Sequence, residues 1–187
     1  MAAAAALLPL CACAGGRQAA PPPQAAEKPC LVAGVPFFPQ KPAQCGPACL
    51  AGVLGHWNRP VSPDAVSAQV FSRRAGGSST LDMVLYAKKQ GLYAALIQGT
   101  PEALAASCSM GVPLIVMCDV GFWNIHKSHF MVVVGSGPGG VVVNAGREPK
   151  KLVSWDRFLK SWDRAGNFTL WIAPFPPPPK GAEETIP

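Results

Sequence analysis

The sequence predicts one α+β domain, in which helices from the N-terminal part pack on an antiparallel sheet. Three observations predict it: helix-start signals crowd the first half, β-branched runs fill the second, and proline-rich stretches bracket both. With 187 residues, 49% hydrophobic and 14% charged, the chain has room and material for a single buried core. Many of its 21 prolines fall in Pro21–Pro23 and in Pro174–Pro179, so both ends read as extended tails. The expected organisation is a signal-type segment over 1–13, a Pro/Ala-rich linker over 14–34, the domain over 35–172 and a disordered tail over 173–187.

The elements follow from local signals. Val35-Pro36-Phe37-Phe38-Pro39 is extended and apolar, and its prolines confine it to an edge or a loop. Cys45 opens a helix to Trp57, with Pro47 in the first turn where its missing N–H costs nothing. Ala48, Leu50, Ala51, Val53 and Leu54 make that helix apolar on most sides, which predicts burial. Ser62-Pro63-Asp64, Thr80-Leu81-Asp82 and Thr100-Pro101-Glu102 start further helices; the last two stop at Gly91 and near Gly111. Leu92–Ile97 and Pro113–Cys118 are strand-type runs between them. His129–Val134 and Val141–Asn144 are β-branched runs joined by Gly-Ser-Gly-Pro-Gly-Gly, which predicts a hairpin. Ser154 caps a helix through Trp162, and Phe168–Ile172 forms a last strand.

The net charge of +6 is spread over pairs such as Arg73-Arg74, Lys88-Lys89 and Lys150-Lys151. No block of like charge or basic helix with interleaved aromatics occurs, so nucleic acid is not an expected partner. Met1–Cys13 reads MAAAAALLPLCAC, too short an apolar run to span a bilayer but suited to the core of an export signal. It lacks the positive charge that normally precedes such a core. Leu10-Cys11-Ala12-Cys13 resembles the bacterial lipoprotein signal, which makes Cys13 the lipidated residue and the bacterial envelope the expected location. Acylation of Cys13 would leave Cys30, Cys45, Cys49, Cys108 and Cys118. That count is odd, so at least one thiol stays free even in an oxidising compartment.

The sharpest signal is Gln40–Cys49, QKPAQCGPAC. A cysteine at a helix start meets unpaired backbone N–H groups and the positive end of the helix dipole, and both favour the nucleophilic thiolate. Its own N–H, with a side-chain amide from Gln40 or Gln44, can hold an oxyanion. His129, at the start of an apolar strand, is the candidate base. Asn144, ending the next strand, is the polar residue best placed to orient the imidazole. Core packing is the expected role of Cys49, Cys108 and Cys118, with a disulfide as the alternative for Cys49, and capping of its own helix is that of His56. His126 with Cys45, Cys49 and a second histidine does not have zinc-module spacing.

The run VPFFPQ…QCGPACLAGVL, with SHFMVVVG, VVVNAG and LVSWDRFLKSW after it, resembles the double-glycine-type cysteine peptidases that process bacteriocin leaders. Their stand-alone envelope relatives are the nearer likeness. The resemblance spans 35–172 and implies a papain-like fold, with Cys45 as nucleophile, His129 as general base and Gln40 as oxyanion amide. It also implies a secreted peptide or protein substrate cleaved after small residues, no metal or organic cofactor, and a secretion system as a further partner. One departure stands out: the family carries aspartate after the His strand, where this chain reads Asn144-Ala145-Gly146. A peptide-binding module with a degenerate site and a Cys-His acyltransferase are the alternative functions.

Overall fold

The computed structural model describes residues 28–74, 76–122 and 124–174, and the backbone of Glu183 and Glu184. The signal-type segment with Cys13, and the linker up to residue 27, lie outside the described residues. In chain order the elements are β1 (Cys30–Leu31), α1 (Cys45–His56), α2 (Pro63–Val70), β2 (Phe71–Ser72), β3 (Gly77–Ser78), α3 (Thr80–Lys89), β4 (Tyr93–Gln98) and α4 (Pro101–Ser109). Then come β5 (Leu114–Asp119), β6 (Ser128–Gly137), β7 (Gly140–Ala145), β8 (Glu148–Val153), α5 (Trp155–Asp163), β9 (Phe168–Ala173) and β10 (Glu183–Glu184).

The capping chemistry acts as expected at two helices. Ser62 Oγ accepts from Ala65 N–H and Thr100 Oγ1 from Ala103 N–H, each with proline in the first turn. Ser154 holds the cap position of α5, but its side chain makes no capping bond. Strands β4 and β5 flank α4, where the runs Leu92–Ile97 and Pro113–Cys118 predict them.

The main sheet is antiparallel throughout and runs β10-β4-β9-β5-β6-β7-β8, with β1 beside the far end of β6. Three of its strands come from unexpected places. β8 is rich in charge, reading Glu148-Pro149-Lys150-Lys151, so no apolar alternation announces it. β1 draws on the linker, and β10 sits within the tail expected to be without structure.

Strand alternation divides the core in two. One face carries Ile115, Phe130, Val132, Val134, Leu170 and Ile172, covered by α1, α2 and α3. The other carries Val116, Cys118, Met131, Val133, Val143 and Trp171, covered by α5 and by Leu104 of α4. Helix α1 is buried over Gly46–Leu54, and the 35–39 segment lies against it. A Cβ at Gly52 would stand 2.7 Å from the Pro36 carbonyl oxygen, so glycine permits that close approach.

Cys30 and Cys108 form a disulfide that closes a separation of 78 residues and fastens β1 to α4. This corrects the packing role expected of Cys108. Cys45, Cys49 and Cys118 are free, the last two buried. His56 is likewise corrected: its Nε2 donates to Gly111 O at 3.0 Å, joining α1 to the turn after α4 instead of capping its own helix.

Candidate active site

Cys45 is the first residue of α1 and is partly exposed. Four N–H groups at a helix start lack intrahelical acceptors. Here Ala48 N–H is taken by Gln44 O at 3.1 Å and Pro47 has none, which leaves the amides of Cys45 and Gly46 open among the described residues. Two converging donors beside a thiol form an anion-binding corner.

Gln40 joins three parts of the fold at this corner. Its backbone N–H donates to Gly146 O at 2.8 Å, and its Oε1 accepts from Gly146 N–H at 3.0 Å. Its Nε2 donates to Phe130 O and to Cys49 Sγ, both at 3.3 Å. One side chain therefore ties α1, the residue after His129 and the turn after Ala145 together. Both amide hydrogens have partners in this arrangement, so an oxyanion would have to displace one.

Cys49 lies one turn below Cys45. Burial pushes its thiol well above the ordinary range, the neighbouring Cys45 charge adds to this, and the Gln40 hydrogen bond opposes it. Burial likewise pushes the Cys118 thiol to about 11. Neither is poised as a nucleophile.

His129 is the second residue of β6 and half-buried. It pairs with Cys118 across the sheet, so its side chain leaves on the Cys118, Met131 and Val133 face. Burial, and secondarily the Lys127 charge, hold its pKa below the usual imidazole value. Asn144 pairs with Val132 and so belongs to the opposite face. It is buried, and its Oδ1 accepts from Lys150 N–H at 2.9 Å. Ala145, one residue on, packs on the His129 side. The structure thus gathers Cys45, Cys49 and Gln40 on the α1 side and separates Asn144 from His129. Among the described residues no hydrogen bond joins Cys45 to His129.

His129 lines a cleft of about 820 Å3 between α5, the β7–β8 corner and the 120–127 loop; Cys45 does not line it. The wall beside it is fixed by Asp119, a residue that sequence reasoning missed. Its Oδ1 accepts from Gly121 N–H at 2.8 Å and Lys127 N–H at 3.0 Å, and its Oδ2 from His126 Nδ1 at 2.7 Å. Arg164 bonds the Asp119 and Gly121 carbonyls and approaches the carboxylate at 3.6 Å. These donors, led by the two backbone amides, hold the Asp119 carboxyl at about 2. The only sequence signal was an acidic residue ending a strand, two before a glycine. His126 is thus engaged with Asp119, and no three His, Cys, Asp or Glu side chains cluster as metal ligands among the described residues. No helix among them is long and apolar enough to cross a membrane.

Several solved structures share this architecture. A double glycine motif protease from an AMS/PCAT transporter, crystallised with its leader peptide, matches at 24% identity and a TM-score of 0.61, covering 80% of this chain and 100% of that one. The peptidase domain of Streptococcus ComA, a bifunctional ABC transporter of a quorum-sensing pathway, matches at 23% and 0.62, covering 76% and 100%. A putative C39-like peptidase from Bacillus anthracis matches at 15% and 0.65, covering 79% and 98%. At such identities the likeness establishes the fold, mixed helix and antiparallel sheet of the papain-like kind. No curated protein is similar enough to count as a match. The Peptidase C39 family model, however, matches residues 37–174, from the apolar entry before α1 to the end of β9, and the chain belongs to that family.

Proposed function

We propose that the chain is a cysteine peptidase that hydrolyses a peptide bond in a secreted or envelope peptide or protein, with Cys45 as nucleophile and His129 as its base. The observation that carries the reading is the placement of a partly exposed thiol as the first residue of a buried helix, beside two open backbone amides. The Cys45 thiolate attacks the scissile carbonyl, and the oxyanion is held by the Cys45 N–H and by the Gln40 amide, released from Phe130 O. The imidazolium protonates the leaving amine; the thioester is then hydrolysed by water that the imidazole deprotonates. Asn144 acts on His129 through the backbone it fixes at the β7–β8 corner, since its Oδ1 is already engaged. The pair requires the imidazole, at the start of β6 and on the Cys118 face of the sheet, to turn toward the thiol on the α1 side.

The setting proposed is the bacterial envelope, with Cys13 lipidated and a Pro/Ala-rich linker ahead of the domain. The Cys30–Cys108 disulfide supports this, because such bonds persist in oxidising compartments. The transporter-borne relatives support a leader-like peptide, cut after small residues, and an export system as partner. A second reading is a peptide-binding domain without turnover. It is favoured by Ala145 on the His129 face and by Asn144 on the other.

Iodoacetamide labelling across pH, read by peptide mass, tests both. The peptidase reading expects Cys45 to react below the ordinary thiol pKa of about 8.5 and to slow in His129→Ala. A Cys45 no more reactive than Cys118, whose thiol sits at about 11, would leave the binding domain.

A further inference from the structure

The cleft that holds His129 is electrically one-sided. Six cationic side chains line it against three carboxylates, although they are scattered between 127 and 164 in the sequence. Two of the carboxylates are engaged: Asp119 by His126 and Arg164, and Glu148 by Lys151 at 2.8 Å. Only Asp156 is left to oppose Lys127, Arg147, Arg157 and Lys160, all four exposed and without a carboxylate partner among the described residues. Lys127 is close enough to His129 to act on it electrostatically, so the positive field reaches the candidate base. On the loop side the cleft is bordered by Val120 and Phe122, which are 47% and 83% exposed.

Uncompensated cations around a concave site raise the local concentration of anionic ligands and reject cationic ones. The volume suits a short run of side chains rather than a long polyanion, which a stripe would follow. An exposed aromatic at the rim adds an apolar contact for a neighbouring residue. We infer that this cleft receives an acidic segment of the peptide substrate, with one apolar side chain against Phe122, and so sets substrate choice beside His129. The inference rests on the peptidase reading for its substrate, but it is a statement about binding and is testable without turnover.

The test uses the full-length chain carrying Cys45→Ser, and fluorescence anisotropy with two labelled peptides of equal length and apolar content. One carries glutamates, and the other lysines at the same positions. The expected result is binding of the acidic peptide about tenfold tighter or more in low salt, a margin lost at about 0.5 M salt. Arg147→Glu and Arg157→Glu, both at exposed positions, should each narrow the margin severalfold, and Phe122→Ser should weaken both peptides alike. Equal affinities, or a margin unmoved by both charge reversals, would overturn the inference. So would binding to vesicles of anionic lipid in place of either peptide. Cys45 labelling on the wild-type chain is read separately, so an indifferent cleft and an inert thiol are distinct results.

Discussion

Gln40 holds Gly146 at both of its backbone polar groups, donating to its carbonyl and accepting from its N–H, as one strand holds another. Gly146 has φ +59, a conformation glycine adopts without a Cβ penalty, so the turn is shaped to meet the grip. The same side chain reaches Phe130 O and Cys49 Sγ. A residue assigned by resemblance to hold an oxyanion is therefore also the clasp between α1 and the two strands near the candidate base. The roles separate by substitution. Gln40→Ala removes every side-chain bond and should cost about 1–3 kcal/mol of stability in urea titration, because partly buried backbone groups lose their partners. Gln40→Glu keeps the acceptor for Gly146 N–H and loses the amide donors. It should recover part of that stability while peptide cleavage stays depressed by about 100-fold or more.

His129 gives a prediction whose sign is fixed by burial. Its folded pKa lies below the ordinary imidazole value, so between the two the unfolded chain binds more protons than the folded one. Stability must then rise with pH across that window and fall as acid is added from neutrality. The slope should flatten in His129→Gln, which has no proton to take up. Lys127→Ala removes one cause of the shift and should raise the His129 midpoint in an imidazole NMR titration. An unchanged midpoint would assign the shift to burial alone.

Asp119 works in the opposite sense and at lower pH. A carboxyl depressed to about 2 contributes stability that is fully present above about 4 and is lost as pH falls through 2. Because its bonds run to Gly121, His126, Lys127 and Arg164, the loss should appear first in the 120–127 loop. Asp119→Asn should make that loop more susceptible to limited proteolysis at neutral pH while leaving the circular dichroism of the sheet unchanged.

What could be read in the sequence was local. Proline and hydroxyl at the starts of α2 and α4, the β-branched runs of β6 and β7, and the QCGPAC helix start each carry their signal within a few residues. The side of the sheet on which a residue stands depends on register, and that separates Asn144 from His129 although both sit at the ends of paired strands. Asp119 was missed because its partners come from two backbone amides, a loop histidine and a helix that begins 36 residues later. The basic cleft was missed for the same reason: charges scattered between 127 and 164 converge only once β8 is paired with β7 and α5 packs on that face.

The disulfide is the last feature that spacing could not assign, and it bears on both stability and setting. Closing a loop of 78 residues removes denatured-state entropy that the chain-entropy model sets at about 4–5 kcal/mol, with about 2–5 usually realised. Cys108 is the residue to change, because Cys108→Ser leaves the β1 backbone pairing to β6 intact while the bond to α4 is lost. Its thermal midpoint should fall by several degrees, and dithiothreitol should lower the wild type to the level of the variant without moving the variant further. Equal midpoints for oxidised and reduced wild type would mean that the 78-residue loop is already constrained by packing. In that case an oxidising compartment is no longer required for the domain to fold, and the disulfide would lose its weight in favour of an envelope location.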